Sequence, residues 1–293
     1  MNVEEILKKV RRIEIISRKS SKELFAGEYH SAFKGMGMEF SEVREYTPGD
    51  DIRFIDWNVS SRLGKLFVKQ FVEERELTVI LAIDLSASLD FFSNTKSKKE
   101  IAAEISAIIA FTANLNSDKV GLLLFTDRVE CFIPPKKGKT HILRIIREIL
   151  QFEPEGKGTS IETGLVYLNK VLKKRSILFL VSDFMDKGFS QSLSIAARKH
   201  DLITIKINDP REKILPDSGM FILKDPETGE EFYADFSSVA TQKTFREILS
   251  RKDTQLTDMF KKSNIDYLSI DSESEYEKPL FDFFLKRKKK YSR

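Results

Sequence analysis

The sequence predicts an α/β fold with a mainly parallel sheet, helices on both of its faces, and a small β-rich unit ahead of it. Three observations carry this. A continuous β-rich apolar run at 77–83 (LTVILAI) is followed by further largely apolar runs at 120–125 (VGLLLF), 177–181 (ILFLV) and 202–207 (LITIKI). Runs of this kind suit strands covered on both faces. Stretches with helical apolar spacing alternate with them, which implies parallel strands joined by crossover helices. Residues 36–75 instead show short alternating runs broken by Pro48-Gly49-Asp50-Asp51 and Arg62-Leu63-Gly64-Lys65, the signature of an antiparallel β unit.

Taken in order, 1–24 reads as an amphipathic helix with Val3, Ile6, Leu7, Val10, Ile13 and Ile16 on one stripe, packed against the body of the protein. In the β unit, Met38, Phe40, Glu42, Arg44 and Tyr46 share one strand face, and Phe67, Lys69 and Phe71 share another. Trp57 is expected to anchor this unit on the sheet, and the charged residues between Glu42 and Asp56 to form a salt-bridged surface. A helix over 97–115 opens with the capping-box pattern Ser97-x-x-Glu100 and carries Ile101, Ile105, Ile108 and Ile109 on one face. A short strand at 129–133 is expected at an edge, antiparallel to its neighbour. Helices follow at 140–151, 161–174 and 189–199, then a hairpin insertion near 219–236 turning at Pro226-Glu227-Thr228-Gly229. A long helix at 238–262 precedes a last strand at 265–270. The resulting division is 1–75 for the helix and β-rich unit, 76–273 for the α/β domain, and 274–293 for a C-terminal segment. Its basic run, 286–290, is expected to be a solvated end.

Composition narrows the function. Lys and Arg number 49 against 45 Asp and Glu, a net charge of +4. So mild a balance gives no reason to expect nucleic acid. The lone cysteine, Cys131, cannot form an internal disulfide, and the three histidines make no zinc spacing. No run of 18 apolar residues predicts a transmembrane helix. A cytoplasmic protein is the expectation.

In open parallel sheets, ligands bind outside the carboxyl ends of the strands. The residues there are Asp84-x-Ser86-x-Ser88 after the first buried run, Ser182-Asp183 after the third, and the loop Gly156-Lys157-Gly158-Thr159-Ser160 between them. Asp84, Ser86, Ser88, Thr159 and Asp183 supply carboxylates and hydroxyls with no soft ligand. Such a set suits a hard cation, Mg²⁺ or Mn²⁺.

These residues resemble the metal-ion-dependent adhesion site of von Willebrand factor A domains. Asp84, Ser86 and Ser88 match its first motif, Thr159 the second-loop threonine and Asp183 the third-loop aspartate. The resemblance implies that the hydroxyls hold the ion directly and the aspartates mostly through water. A cation held largely by neutral hydroxyls keeps uncompensated charge, and its open position favours a carboxylate from another protein. One departure is that Leu89 and Asp90 follow Ser88 where the family often has Met and later Gly.

A second resemblance lies ahead of the sheet. Gly35-x-Gly37-x-Glu39-Phe40, Glu42-x-Arg44-x-Tyr46 and Pro48-Gly49-Asp50-Asp51-x-Arg53-x-Ile55-Asp56-Trp57-Asn58 resemble the hallmark of the bacterial DUF58 family, and Arg62, Gly64, Lys65 and 69–75 (KQFVEER) continue it. The resemblance spans roughly 20–200. It implies a von Willebrand A-like domain, a link to MoxR-type AAA+ ATPases, and roles in protein remodelling, maturation or stress tolerance. The function it implies is a non-enzymatic interaction module.

Enzymatic alternatives lack their parts. Gly138-Lys139-Thr140 resembles the end of a phosphate loop, but Ile133 stands where its first glycine is required. Gly35-x-Gly37 has no third glycine. Asp84 as a phosphatase nucleophile would need a second Asp at position 86, where Ser86 stands. A metal-dependent phosphohydrolase and a scaffold with an empty site remain the alternatives.

Overall fold

The computed structural model describes residues 8, 11–12, 14–16, 33, 38–73, 76–90, 96–212, 219–224, 227 and 229–291. At its centre is a six-stranded sheet. Its strands are β3 (Thr78–Asp84), β4 (Lys119–Phe125), β5 (Val129–Lys136), β6 (Ile177–Ser182), β7 (Asp201–Asn208) and β10 (Asp266–Asp271), in the order β5-β4-β3-β6-β7-β10. Every pairing is parallel except β4 with the edge strand β5. This is the expected mainly parallel sheet, with the expected antiparallel edge strand.

The sheet is covered on both sides, and β3 shows why its sequence is apolar throughout. Val79, Leu81 and Ile83 enter one core with residues of α2 (Lys98–Leu115), α3 (Lys139–Gln151) and α7 (Glu277–Tyr291). Ile80 and Ala82 enter the other, with α4 (Ile161–Val171), α5 (Ser190–Lys199) and α6 (Val239–Lys262). Alternating side chains thus each find an apolar partner layer, and burying each larger one stabilises by about 1.5–3 kcal/mol. Helix α2 is buried along most of its length, capped by Ser97, which accepts from Glu100 N–H. α4 ends at Val171, three residues before the expected boundary.

The β-rich unit pairs β1 (Met38–Glu45) with β2 (Phe67–Glu73) antiparallel. Between them lies a short helix, α1 (Trp57–Leu63), where only a turn was expected. Asp56 caps it by accepting from Asn58 and Val59 N–H, and Gly64 ends it in the left-handed conformation at φ 68°. Trp57 starts this helix and is 67% exposed, so it does not anchor the unit on the sheet. The charged residues form separate pairs: Arg44 grips Asp50 with contacts of 2.7 and 2.6 Å, Arg53 meets Asp51, and Lys69 lies 3.6 Å from Asp56. The Arg44 guanidinium, helped by Thr47 N–H, holds the Asp50 carboxyl far below the usual range. The Glu42 side chain lies outside the described residues, as does most of the helix expected over 1–24. The parts of it that are described are helical, and Glu14 pairs with Lys139 at 2.6 Å.

The basic run at the C-terminus is not simply a solvated end. It continues α7, whose Leu280, Phe284 and Arg287 are buried. Arg287 pairs with Asp201 and, at 2.8 Å, with Asp266, and its guanidinium lies 4.8 Å from the Phe33 ring centre. The two acids sit at the amino ends of β7 and β10, a position only the sheet order reveals.

The hairpin insertion is present as β8 (Met220–Lys224) and β9 (Glu231–Asp235), a sheet of its own. Among the described residues, no helix is long and apolar enough to cross a membrane.

Candidate functional site

The strand order reverses at β3: the chain moves to β4 on one side and later returns to β6 on the other. The carboxyl end of β3 is therefore the switch point at which open α/β sheets form a crevice. Asp84 ends this strand, fully buried. Its carboxylate accepts from Ser86 N–H at 2.9 Å and from the Ser182 hydroxyl at 2.7 Å. Burial, reinforced by the charge of Asp183, still pushes its pKa up to about 7.

A 3₁₀ turn, Ala87–Asp90, follows β3 and brings the hydroxyls of Ser86 and Ser88 to 3.0 Å from each other. The loop bearing Thr159 lies on the β4 side. Ala87 N–H donates to Lys157 O at 3.2 Å, Ser160 N–H to Thr126 O at 2.9 Å, and Gly156 N–H to Glu130 at 2.8 Å. Gly156 must lack a side chain, because a Cβ there would lie 2.2 Å from Thr126 Oγ1 and 2.1 Å from Asp127 Oδ1. Asp183 follows β6 on the other side, and Met185 N–H donates to it at 3.3 Å. All five expected residues thus lie at one end of the sheet, on three loops tied to one another.

Three further residues shape the site. Lys98, at the first position of α2, is fully buried; its ammonium donates to Asp183 at 3.1 Å and to Glu212, which ends the 3₁₀ turn Pro210–Glu212. Burial pulls the Lys98 pKa down, but the charges of Asp183 and Glu212 more than offset this and hold it above its ordinary value. A lysine at a helix N-terminus opposes the macrodipole, and that was the one sign in the sequence that it had a partner. On the opposite flank, the Thr159 hydroxyl donates to Glu227, from the tip of the β8–β9 hairpin. Nothing in the local sequence linked Glu212 or Glu227 to the site.

The donor set fits a small divalent cation. Bonds of 2.0–2.1 Å at right angles put neighbouring ligand oxygens about 3 Å apart, which the Ser86 and Ser88 hydroxyls match. Beside Asp183 and Glu212 opens a cleft of about 910 Å³ between the 183–189 loop and α6. Phe184, Met185, Phe189, Leu256 and Met259 make it apolar, and Lys187, Lys252 and Lys262 are among its polar residues. Among the described residues, no three His, Cys, Asp or Glu side chains group as metal ligands, so hydroxyls must supply part of any coordination shell. Cys131 lies half-buried on the edge strand β5, and burial pushes its thiol pKa up.

The chain resembles several proteins. It is 29% identical over 231 residues to the uncharacterized protein Rv1480 of Mycobacterium tuberculosis, covering 77% of this chain and 73% of that protein, and equally to Mb1516 of Mycobacterium bovis. Among solved structures, the conserved hypothetical protein BatB of Bacteroides thetaiotaomicron aligns with a TM-score of 0.47 at 14% identity, over 73% of this chain and 99% of that one. The SpRpn10 VWA domain aligns with a TM-score of 0.40 at 10% identity, over 71% and 93%. Residues 42–255 match the family model described as "Protein of unknown function DUF58". The chain is a member of the DUF58 family.

Proposed function

We propose that this protein is a non-enzymatic interaction module that grips an acidic residue of a partner protein through Mg²⁺ or Mn²⁺. The residues that would hold the ion are Ser86, Ser88 and Thr159 by their hydroxyls, with Asp84 and Asp183 accepting from its bound waters. The observation that carries this reading is the convergence of three hydroxyls and two carboxylates on the crevice at the end of β3. A cation so held keeps net charge, and a carboxylate is the ligand that offsets it. The apolar cleft beside Asp183 supports the reading, because residues flanking the partner's acid could be buried there. By the family resemblance, the partner is a MoxR-type AAA+ ATPase, with this protein as its adaptor in remodelling, maturation or stress tolerance. A cytoplasmic setting belongs to the same proposal.

The test is affinity capture from native lysate with tagged protein, comparing Mg²⁺ with EDTA and wild type with Asp84→Ala. The proposal expects an ATPase retained only with Mg²⁺ and intact Asp84. Identical capture in all conditions would refute it.

A further inference from the structure

The β8–β9 hairpin stands apart from the main sheet. It is anchored at its base, where Phe236 is buried and its ring centre lies 5.8 Å from that of Phe221 and 6.1 Å from that of Phe245. Phe236 N–H also donates to Gly219 O at 2.8 Å, and Gln242 to Phe236 O at 2.8 Å. Beyond the base both strands are largely exposed, including Met220, Ile222, Phe232 and Tyr233. An isolated two-stranded hairpin is marginally stable in water, so the contact at its far end matters to where it sits. One such contact among the described residues is with Thr159. Glu227 Oε1 accepts from the Thr159 hydroxyl, and Oε2 lies 3.9 Å from where a Cβ on Gly158 would be.

The electrostatics of this placement are informative. Asp183 already acts on Asp84 by its charge, and the Lys98 ammonium bridges Asp183 and Glu212. Another carboxylate brought to this end of the sheet meets repulsion unless a cation stands between them. A carboxylate seated on a site hydroxyl also has the chemistry that a partner's acid would bring.

We propose that Glu227 is an internal carboxylate ligand of the cation site, filling the position that a partner's acidic residue takes. This rests on the cation reading given above. The hairpin is then a latch, closed by its own acid and opened when a partner's carboxylate displaces Glu227. The exposed apolar strands are left available to the incoming protein.

The test uses the full chain, freed of metal, with Mn²⁺ as the probe. Affinity is measured by titration calorimetry, and the number of exchanging waters on bound Mn²⁺ by water-proton relaxation. In Glu227→Ala, affinity should fall on the order of tenfold, and relaxivity per bound ion should rise as water takes the vacated position. Glu227→Gln keeps the shape but loses the charge, and should also bind more weakly. Equal affinity and relaxivity in wild type and Glu227→Ala would overturn the proposal while leaving the cation site standing. Weaker binding with unchanged relaxivity would also overturn it, since Glu227 would then act only through the Thr159 hydroxyl. Absence of Mn²⁺ binding in the wild type would remove the cation reading and this inference with it.

Discussion

Asp84 has two unlike flanks. On the β6 side, Asp183 is held by an ammonium that no solvent reaches, and Lys98 is fixed by the helix it begins. On the β4 side, Thr159 meets a carboxylate carried on an exposed hairpin. The first flank sets the charge of the site permanently, because a buried ion pair cannot be opened without leaving an uncompensated charge. The second, in the latch proposed above, is the exchangeable one, since the strands that carry Glu227 are exposed beyond their base. In the proposed grip the first flank would fix the charge around the ion, and the second, through Thr159 and Glu227, would decide what completes its shell.

The largest expected effect comes from breaking the rigid flank. Lys98→Met leaves Asp183 and Glu212 without their counter-charge and should destabilise the fold by about 3–5 kcal/mol. Thermal unfolding in EDTA would show the loss. Millimolar Mg²⁺ should restore part of it, since a divalent ion can replace the missing positive charge.

Asp84→Asn should act in the opposite direction. Burial raises the Asp84 pKa from 3.8 to about 7, so the folded state keeps a proton that the unfolded state releases between those values. Wild-type stability therefore falls as pH rises from about 4 to 7 and levels off above, where both states are ionised and the folded state bears the whole burial penalty. Without metal, Asp84→Asn should lack this decline and be the more stable protein above pH 7, by about 1–2 kcal/mol after allowance for the acceptor it weakens. Unfolding midpoints across pH 4–8 check this. A steeper decline in the variant would contradict it.

The smallest effect belongs to the movable flank. Thr159→Val removes the hydroxyl under Glu227 and should change stability by no more than about 1 kcal/mol. It should nonetheless weaken Mn²⁺ binding and speed amide exchange in β8 and β9. Protection in the hairpin equal to wild type would mean that its tip is held by something other than Thr159.

Much of this was legible in the sequence because it follows from strand periodicity. The runs at 77–83 and 177–181 are apolar throughout, since β3 and β6 bury both faces, and the polar residues immediately after them had to lie at the sheet's end. That located Asp84, Ser86, Ser88 and Asp183 at the sheet's end and the 156–160 loop between them, in which the resemblance to von Willebrand A domains singled out Thr159. Lys98, Glu212 and Glu227 were not legible, because a helix start, a 3₁₀ turn and a hairpin tip reach the site only through tertiary packing. Arg287 was hidden for a similar reason: inside a run of lysines, nothing local marks the residue that the acids of β7 and β10 will bury. Trp57 misled because an aromatic side chain usually marks a core, whereas here it opens a short capped helix and faces outward.

The proposed divalent-cation site lies in the crevice at the end of β3. It is tested most directly by calorimetric titration of Mg²⁺ or Mn²⁺ into chelator-stripped wild type and Asp84→Asn. The account predicts one site per chain in the wild type and none in the variant, with both proteins folded. No binding by the wild type, or equal binding by the two, would contradict it.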